Sequence, residues 1–512
     1  LIENKKSGLF LLIGENEKSQ NIIIDEKSLY QNILITGTIG TGKTSSAMYP
    51  FTKQLISYNS KDSETKIGML ILDVKGNYYK KVKEFVENEN REQDLIVLEL
   101  GGYYKYNPLH KPNLKASVLA NRLKTILLLF SPNNSESFWI DKCEQVLTEC
   151  IKLCRLYNNN YVTFEEIHKL VTIDNYYLEK VKYLRELFIL NKLNREDIYN
   201  LLTALNFFEK EYNNLDSRTK SILKSEITRI TNTFVSDYKV HSTFCPNENE
   251  LNFFSFEDVV NSGKIVVLNM NISEYTDLSK IIATYLKLDF QTEALMRLSK
   301  CNMENERSIA FISDEYHEYC TISDANFFAQ SRESKCINIV ATQSYSSLLN
   351  TINNESAVKV IIQNLVNKLW FRTDDIYTIE EVQKQFDEFI QTQFVNTMES
   401  DYTTAHTFMV NPKDFGVDMS QVDVNLGIRI TDENLKKSKE DQASVLKEFK
   451  TFNRDDLTDE QKDTYDIFKF QAELDEKLND DKFDYYQQIF ESMTGIHYQL
   501  PTMLADWQLR NE

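Results

Sequence analysis

Glycine is scarce in this chain of 512 residues, 13 in all, so any place where it gathers is informative. Long hydrophobic runs are missing too. The best, 125–130, falls far short of the ~20 apolar residues that cross a bilayer, and this excludes a membrane helix within the sequence. The opening stretch, LIENKKSGLFLLIGENEK, lacks the apolar middle and cleavage site of a secretory signal. It begins at Leu1 rather than methionine, which predicts that native sequence precedes it. The seven cysteines (Cys143, Cys150, Cys154, Cys245, Cys301, Cys320 and Cys336) form no CxxC pair and no even framework. Cys143, Cys150 and Cys154 have helical spacing, but a zinc site would need a fourth ligand that is not evident; buried thiols in a reducing cytoplasm are expected instead. There is no HExxH motif, and His406 and His497 stand alone, so no zinc catalysis is assigned. Internal repeats and low-complexity segments are also absent.

What is present begins with an uneven charge. The net charge is −19, which argues against a nucleic-acid partner until it is mapped. Residues 374–512 hold 31 acidic and 14 basic side chains, a balance of −17, and leave only −2 to the other 373 residues. The acidity therefore belongs to the tail, and charge does not exclude DNA binding by the front part. Hydrophobic content of 42% and charged content of 26% are those of a soluble globular protein, long enough for two to four domains.

Three of the glycines fall within eight residues. After the apolar run Ile33, Leu34, Ile35 come Gly37-Thr38-Ile39-Gly40-Thr41-Gly42-Lys43-Thr44, the spacing of a phosphate-binding loop between a strand and a helix. Its backbone N–H groups would converge on phosphate oxygens at a helix N-terminus. Lys43 would reach the β- and γ-phosphates of ATP, and the Thr44 hydroxyl would complete the shell of Mg2+. Around this loop, residues 8–30 read as two short strands, 43–58 as a helix, and 67–76 as a strand buried on both faces and ending in Asp73, Lys75 and Gly76. A helix at 78–88 and a strand at 95–98 complete a β-α-β-α-β series of the doubly wound class. From 112 to 250 the strand signal fades into amphipathic helices such as 116–130, 138–156 and 217–234, with 18 acidic and 18 basic residues in balance. Strands return at 264–269, 309–312, 337–342 and 368–372, with a helix at 280–298.

A second motif closes the 309–312 strand. Ile309-Ala310-Phe311-Ile312-Ser313-Asp314-Glu315 is an apolar strand ending in two carboxylates. Asp314 would hold Mg2+ through water and Glu315 would polarise the attacking water. Ser313 interrupts the usual apolar run. Gln343, at the tip of the 337–342 strand, would contact the γ-phosphate or its water. Arg332 would serve a neighbouring subunit as an arginine finger, or simply pair at the surface. Arg218, Lys220, Lys224 and Arg229 share one predicted helix, either as a grip on DNA backbone or as a solvated face.

Together with LDVKGNYY (72–79), YNPL (106–109), the 217–230 helix, SDEY (313–316), SRE (331–333), ATQS (341–344) and NLVNKLWFRTDD (364–375), these motifs resemble the cytoplasmic part of TraG/TraD-type conjugative coupling ATPases of type IV secretion, over residues 8–384. The resemblance implies an α/β fold: a RecA-like P-loop NTPase domain in two parts (1–111 and 251–384) with an inserted all-α domain (112–250); beyond it the sequence itself reads as an acidic, mostly helical C-terminal segment (385–512). It implies ATP and Mg2+ as cofactors, and a homo-hexamer that moves single- or double-stranded DNA with its relaxase, or protein substrates, into a type IV secretion channel. In the parent protein this happens at the cytoplasmic face of the bacterial membrane, tethered by segments absent from this chain. It carries Gly37, Thr38, Gly40, Thr41, Gly42, Lys43 and Thr44 as nucleotide ligands, Thr44 and Asp314 as metal ligands, and Lys43, Glu315, Gln343 and Arg332 as catalytic groups. An FtsK/HerA-like DNA pump and a non-hydrolysing nucleotide-binding scaffold are the alternatives. After TIEE (378–381) the family's sheet-completing stretch is not found. FDEFIQTQF (386–394), NPKDFGVD (411–418), 457–478 and GIHYQLPTML (495–504) resemble instead the N-terminal part of a family of secreted or lipid-anchored bacterial metallopeptidase-like proteins, which predicts a fusion with a junction near 382–388; the alternative is an acidic helical C-terminal extension that recruits secretion substrates or adaptors.

Overall fold

The structure, a computed structural model, describes residues 8–15, 21–73, 75–130, 137–270, 272–300, 302–303, 306–400, 409, 411–420, 422, 431–480 and 482. Cys301, His406, His497 and the stretch 495–504 lie outside these residues. The chain divides into two compact units, residues 1–374 and 375–512.

The first unit is built on seven parallel strands. In spatial order they are β5 (Leu95–Leu98), β6 (Ile265–Leu268), β4 (Gly68–Leu72), β7 (Ile309–Ser313), β8 (Cys336–Thr342), β3 (Ile33–Thr36) and β9 (Asn367–Trp370). Burial grades across the sheet as the sequences require. The five inner strands are buried at every position, which is why they read as unbroken apolar runs, while β5 and β9 at the edges are half-buried. On one face the helices Tyr49–Ser57 and Tyr78–Asn88 lay Phe51, Leu55, Tyr78, Val82 and Val86 over Ile35, Met69, Ile71, Ala310 and Ile339. Phe311 points to the opposite face, where its ring meets Phe290 of the long helix Ile272–Lys300 at 6.2 Å. The β1 (Phe10–Glu15) and β2 (Asn21–Asp25) strands form a separate antiparallel pair. Gln54 ties it to the Tyr49–Ser57 helix by exchanging both amide hydrogen bonds with Leu12.

Between β5 and β6 the described chain is helical, apart from one bridge pairing Tyr106 with Phe253. Its helices start on side-chain caps: Thr163, Asn194, Asp216 and Asp237 each accept a backbone N–H three residues on. Stacked rings, Phe164 on Phe234 at 4.0 Å and Tyr177 on Phe208 at 5.1 Å, form its interior. Cys143, Cys150 and Cys154 are buried free thiols on the Ser137–Tyr157 helix, and no cluster of metal-binding side chains occurs among the described residues.

In the second unit the helices Ile376–Ser400, Asp432–Phe449 and Asp459–Leu478 enclose a small aromatic core of Phe386, Phe389, Phe449 and Phe452. The first of these helices runs unbroken through 382–388. Among the described residues no helix is long and apolar enough to cross a membrane.

Candidate active site

β3 ends at Thr36, and the loop that follows is held from both sides. Gly37 donates its N–H to the Gln343 carbonyl at the end of β8, and Thr38 donates to the Arg372 carbonyl beyond β9. Gly37 also has to be glycine because of its neighbour: a Cβ there would come within 2.5 Å of the Phe371 Cβ. Gly42, at φ +92°, turns the chain into the helix, a conformation that side chains with a Cβ avoid. That helix opens wide, with an i→i+5 turn over Lys43–Met48, where Tyr49 donates to the Thr44 carbonyl before α-geometry sets in.

Lys43 folds back into the loop, its ammonium bonded to the Gly37 carbonyl and to that of Thr38 at 3.2 Å. Burial pushes this ammonium below its usual pKa, while Glu315 and Asp314 pull it back up, so the lysine and both carboxylates share one electrostatic site. Two inter-strand spacings, about 10 Å, separate β3 from β7, with β8 between them. The Thr44 hydroxyl nevertheless reaches Asp314 Oδ2 at 2.9 Å. This couples the two motifs that the sequence holds 270 residues apart. A hydroxyl and a buried carboxylate meeting beside a lysine fit a divalent cation bound to phosphate.

Burial raises the Asp314 carboxyl above its ordinary range, against the opposing pull of Lys75 and of the Thr44 hydrogen bond. Glu315 behaves oppositely. Burial alone would raise it, but the hydrogen bond and charge of Lys75, 2.8 Å away, outweigh that and hold it below the usual carboxylate range. Its other oxygen faces the Gln343 amide at 3.4 Å and His317 Nδ1 at 3.8 Å. Glu315 adopts φ +49°, unusual for a residue with a side chain, and its N–H donates to Asp314 Oδ1. Ser313, the polar interruption in β7, donates to the Tyr319 hydroxyl, which in turn donates to the Asp314 carbonyl. The serine thus belongs to a brace behind the two carboxylates.

The loop residues, Lys43, Thr44, Asp314, Glu315 and Gln343 are therefore brought together at the carboxyl edge of the sheet. Arg332 is not among them. It is exposed in the turn leading into the amino end of β8, the full seven-residue strand, about 20 Å, from Gln343. Its neighbour Ser331 is buried against Asn32 and Asn338. Among the basic residues of the Ser217–Val235 helix, Lys220, Lys224 and Arg229 donate to the carbonyls of Asn213, Thr172 and Phe130. Sequence reasoning assigned no role to Lys75 or His317. The signal for Lys75 was its place just past a fully buried strand.

No protein-family model matches the sequence, and no curated protein matches it either. Solved structures do. The bacterial conjugative coupling protein TrwB, in a trigonal form with sulphate, matches with a TM-score of 0.51 at 12% identity, covering 75% of this chain and 79% of that one. TrwB in complex with ADP and Mg2+ matches with a TM-score of 0.50 at 13% identity, covering 75% and 78%. TrwB with a non-hydrolysable GTP analogue matches with a TM-score of 0.50 at 11% identity, covering 75% and 79%. A seven-stranded parallel sheet with a helical insertion and a P-loop at its carboxyl edge, this chain has the RecA-like fold of the conjugative coupling protein TrwB, the fold that its resemblance to TraG/TraD-type proteins implied.

Proposed function

We propose that the chain is a P-loop ATPase of the conjugative coupling kind, which uses ATP hydrolysis to deliver DNA–relaxase or protein substrates to a type IV secretion channel. The observation that carries this reading is the Thr44–Asp314 contact beside Lys43 and Glu315. It brings the glycine-rich loop and the Asp-Glu strand end into one buried site, which supports reading them as the phosphate-binding and hydrolytic halves of an ATPase. TrwB, whose fold it shares, has been solved with ADP and Mg2+, with a GTP analogue and as a sulphate complex. In this reading the N–H groups of residues 37–44 and the Lys43 ammonium take the β- and γ-phosphates. Thr44 and Asp314 would hold Mg2+, which would supply charge neutralisation on the phosphates. Glu315 accepts a proton from the water that attacks the γ-phosphorus as the bond to the β–γ bridging oxygen breaks, giving ADP and phosphate. Gln343 orients that water. Arg332, on the far edge of its own sheet, acts on a neighbouring subunit's site within a homo-hexamer at the cytoplasmic face of the membrane.

The test is phosphate release with and without single- and double-stranded DNA. Stimulated hydrolysis that disappears in Lys43→Ala and Glu315→Gln supports the reading. Hydrolysis indifferent to DNA in an assembled oligomer refutes the DNA-pump part of it.

A further inference from the structure

Lys75 joins the catalytic carboxylate from a turn built to aim it. Beyond β4, the buried Asp73 carboxylate accepts three backbone N–H groups, from Lys75 at 2.9 Å, Asn77 at 3.1 Å and Tyr78 at 3.0 Å. Gly76 turns with φ +68°. The Tyr78 hydroxyl meets the Thr52 hydroxyl at 2.7 Å, which fastens the turn to the helix that follows the P-loop. The Lys75 backbone N–H is therefore tied to Asp73, while its side chain is 51% exposed on a flexible four-carbon stem. Glu315 is the opposite case. Its side chain is 7% exposed, its backbone is held in the left-handed region, and both of its oxygens face donors of the protein itself, Lys75 on Oε1 and Gln343 on Oε2. One partner of the ion pair sits on an exposed four-carbon stem, and the other is buried and held from both sides.

A carboxylate tied to an ammonium is a poor acceptor for a water proton. A terminal phosphate carries more negative charge than a carboxylate, and it would arrive beside Lys43, which lies within electrostatic reach of Lys75. We propose that Lys75 is a positioning residue that reads the terminal phosphate. Before nucleotide binds, its ammonium occupies Glu315 Oε1. A bound triphosphate draws it onto the γ-phosphate and frees that oxygen for the attacking water, whereas a diphosphate leaves the pair closed. The proposal rests on the nucleotide reading of the P-loop and adds to it a discrimination between triphosphate and diphosphate.

The experiment is calorimetric titration of the full chain with the Mg2+ complexes of ADPNP, a non-hydrolysable ATP analogue, and of ADP, for wild type, Lys75→Met, Lys75→Arg and Lys43→Ala. The expected result is a roughly tenfold weaker ADPNP affinity in Lys75→Met, the margin by which the γ-phosphate would hold the ammonium more strongly than Glu315 does, with ADP affinity within about twofold of wild type. Lys75→Arg restores part of the ADPNP preference. Unchanged ADP binding also certifies that the variant is folded. Equal losses for both nucleotides, or no loss for either, overturn the role of Lys75 and leave the P-loop reading intact. Failure of the wild type to bind either nucleotide, or binding that Lys43→Ala does not weaken, overturns the site itself and this proposal with it.

Discussion

At the scale of single residues, the site depends on groups whose burial sets what they can do. Glu315→Gln keeps the shape of the side chain and removes its ability to accept a proton. Phosphate release should fall by roughly a hundredfold or more, while nucleotide affinity stays near wild type. Affinity measured by titration separates this from Lys43→Ala, which should lose binding as well. Behind the carboxylates, the Tyr319 hydroxyl accepts from Ser313 and donates to the Asp314 carbonyl, all three fully buried or nearly so. Tyr319→Phe leaves a buried hydroxyl and a carbonyl without that partner. A loss of about 1–3 kcal/mol in denaturant unfolding is expected, together with slower hydrolysis as the Asp314 backbone loosens. The P-loop and the Asp-Glu pair were legible in the sequence because each is a local word, set by glycine conformation or by the end of an apolar strand. The Lys75–Glu315 pair was not, because its members are 240 residues apart and nothing local marks them as partners.

At the scale of elements, one arginine joins four parts of the sheet domain. Arg91 is 1% exposed. It donates to the Ile56 carbonyl at the end of one helix, to Ile67 at the start of β4, to Gly263 before β6, and to Asp94 in its own turn. Arg91→Ala should cost about 3–5 kcal/mol, because it takes a donor from three buried carbonyls and one of its cations from the buried Asp94 carboxylate, which keeps Lys66, and a shifted midpoint in urea would register it. Asp94 adds a pH dependence. Burial alone would raise its pKa, but hydrogen bonds from Lys66 and Arg91 outweigh this and hold it below the ordinary carboxylate value of 3.8. A group depressed in the folded state contributes its stability above the unfolded pKa and loses it as pH falls through the folded one. Urea midpoints should therefore be insensitive to this group above about pH 5 and decline below pH 4, with a shallower decline in Asp94→Asn. The interior strands were readable as elements because burial on both faces leaves an unbroken apolar run. The shorter helices Phe164–Thr172, Tyr177–Ile189 and Arg195–Asn206 were not bounded from sequence, although the caps Thr163 and Asn194 mark two of their starts. The wide turn at Lys43–Met48 gives no sequence signal.

At the scale of the molecule, the chain separates after Asp374, and most of the net charge lies beyond that point. The seven strands, the P-loop and every residue gathered at the site lie before it. A chain ending at Asp374 is expected to unfold cooperatively and to bind Mg2+-nucleotide as the full chain does. Calorimetry on both chains checks this, and loss of binding on truncation would give the acidic unit a part in the site.

The sequence by itself determined the class of fold and pointed to the chemistry proposed for it. Phosphate-binding glycines, a lysine and threonine at fixed spacing, and carboxylates closing an apolar strand each act through a few adjacent residues, where covalent connection already supplies the geometry. Only the tertiary structure decided that β8 stands between the two motifs, that Phe371 closes over Gly37, that Arg332 lies at the far edge of its own sheet, and that Lys75 occupies Glu315. Those relations depend on the order in which distant strands pair. That order is chosen by the burial of the whole sheet and is written in no single stretch of the chain.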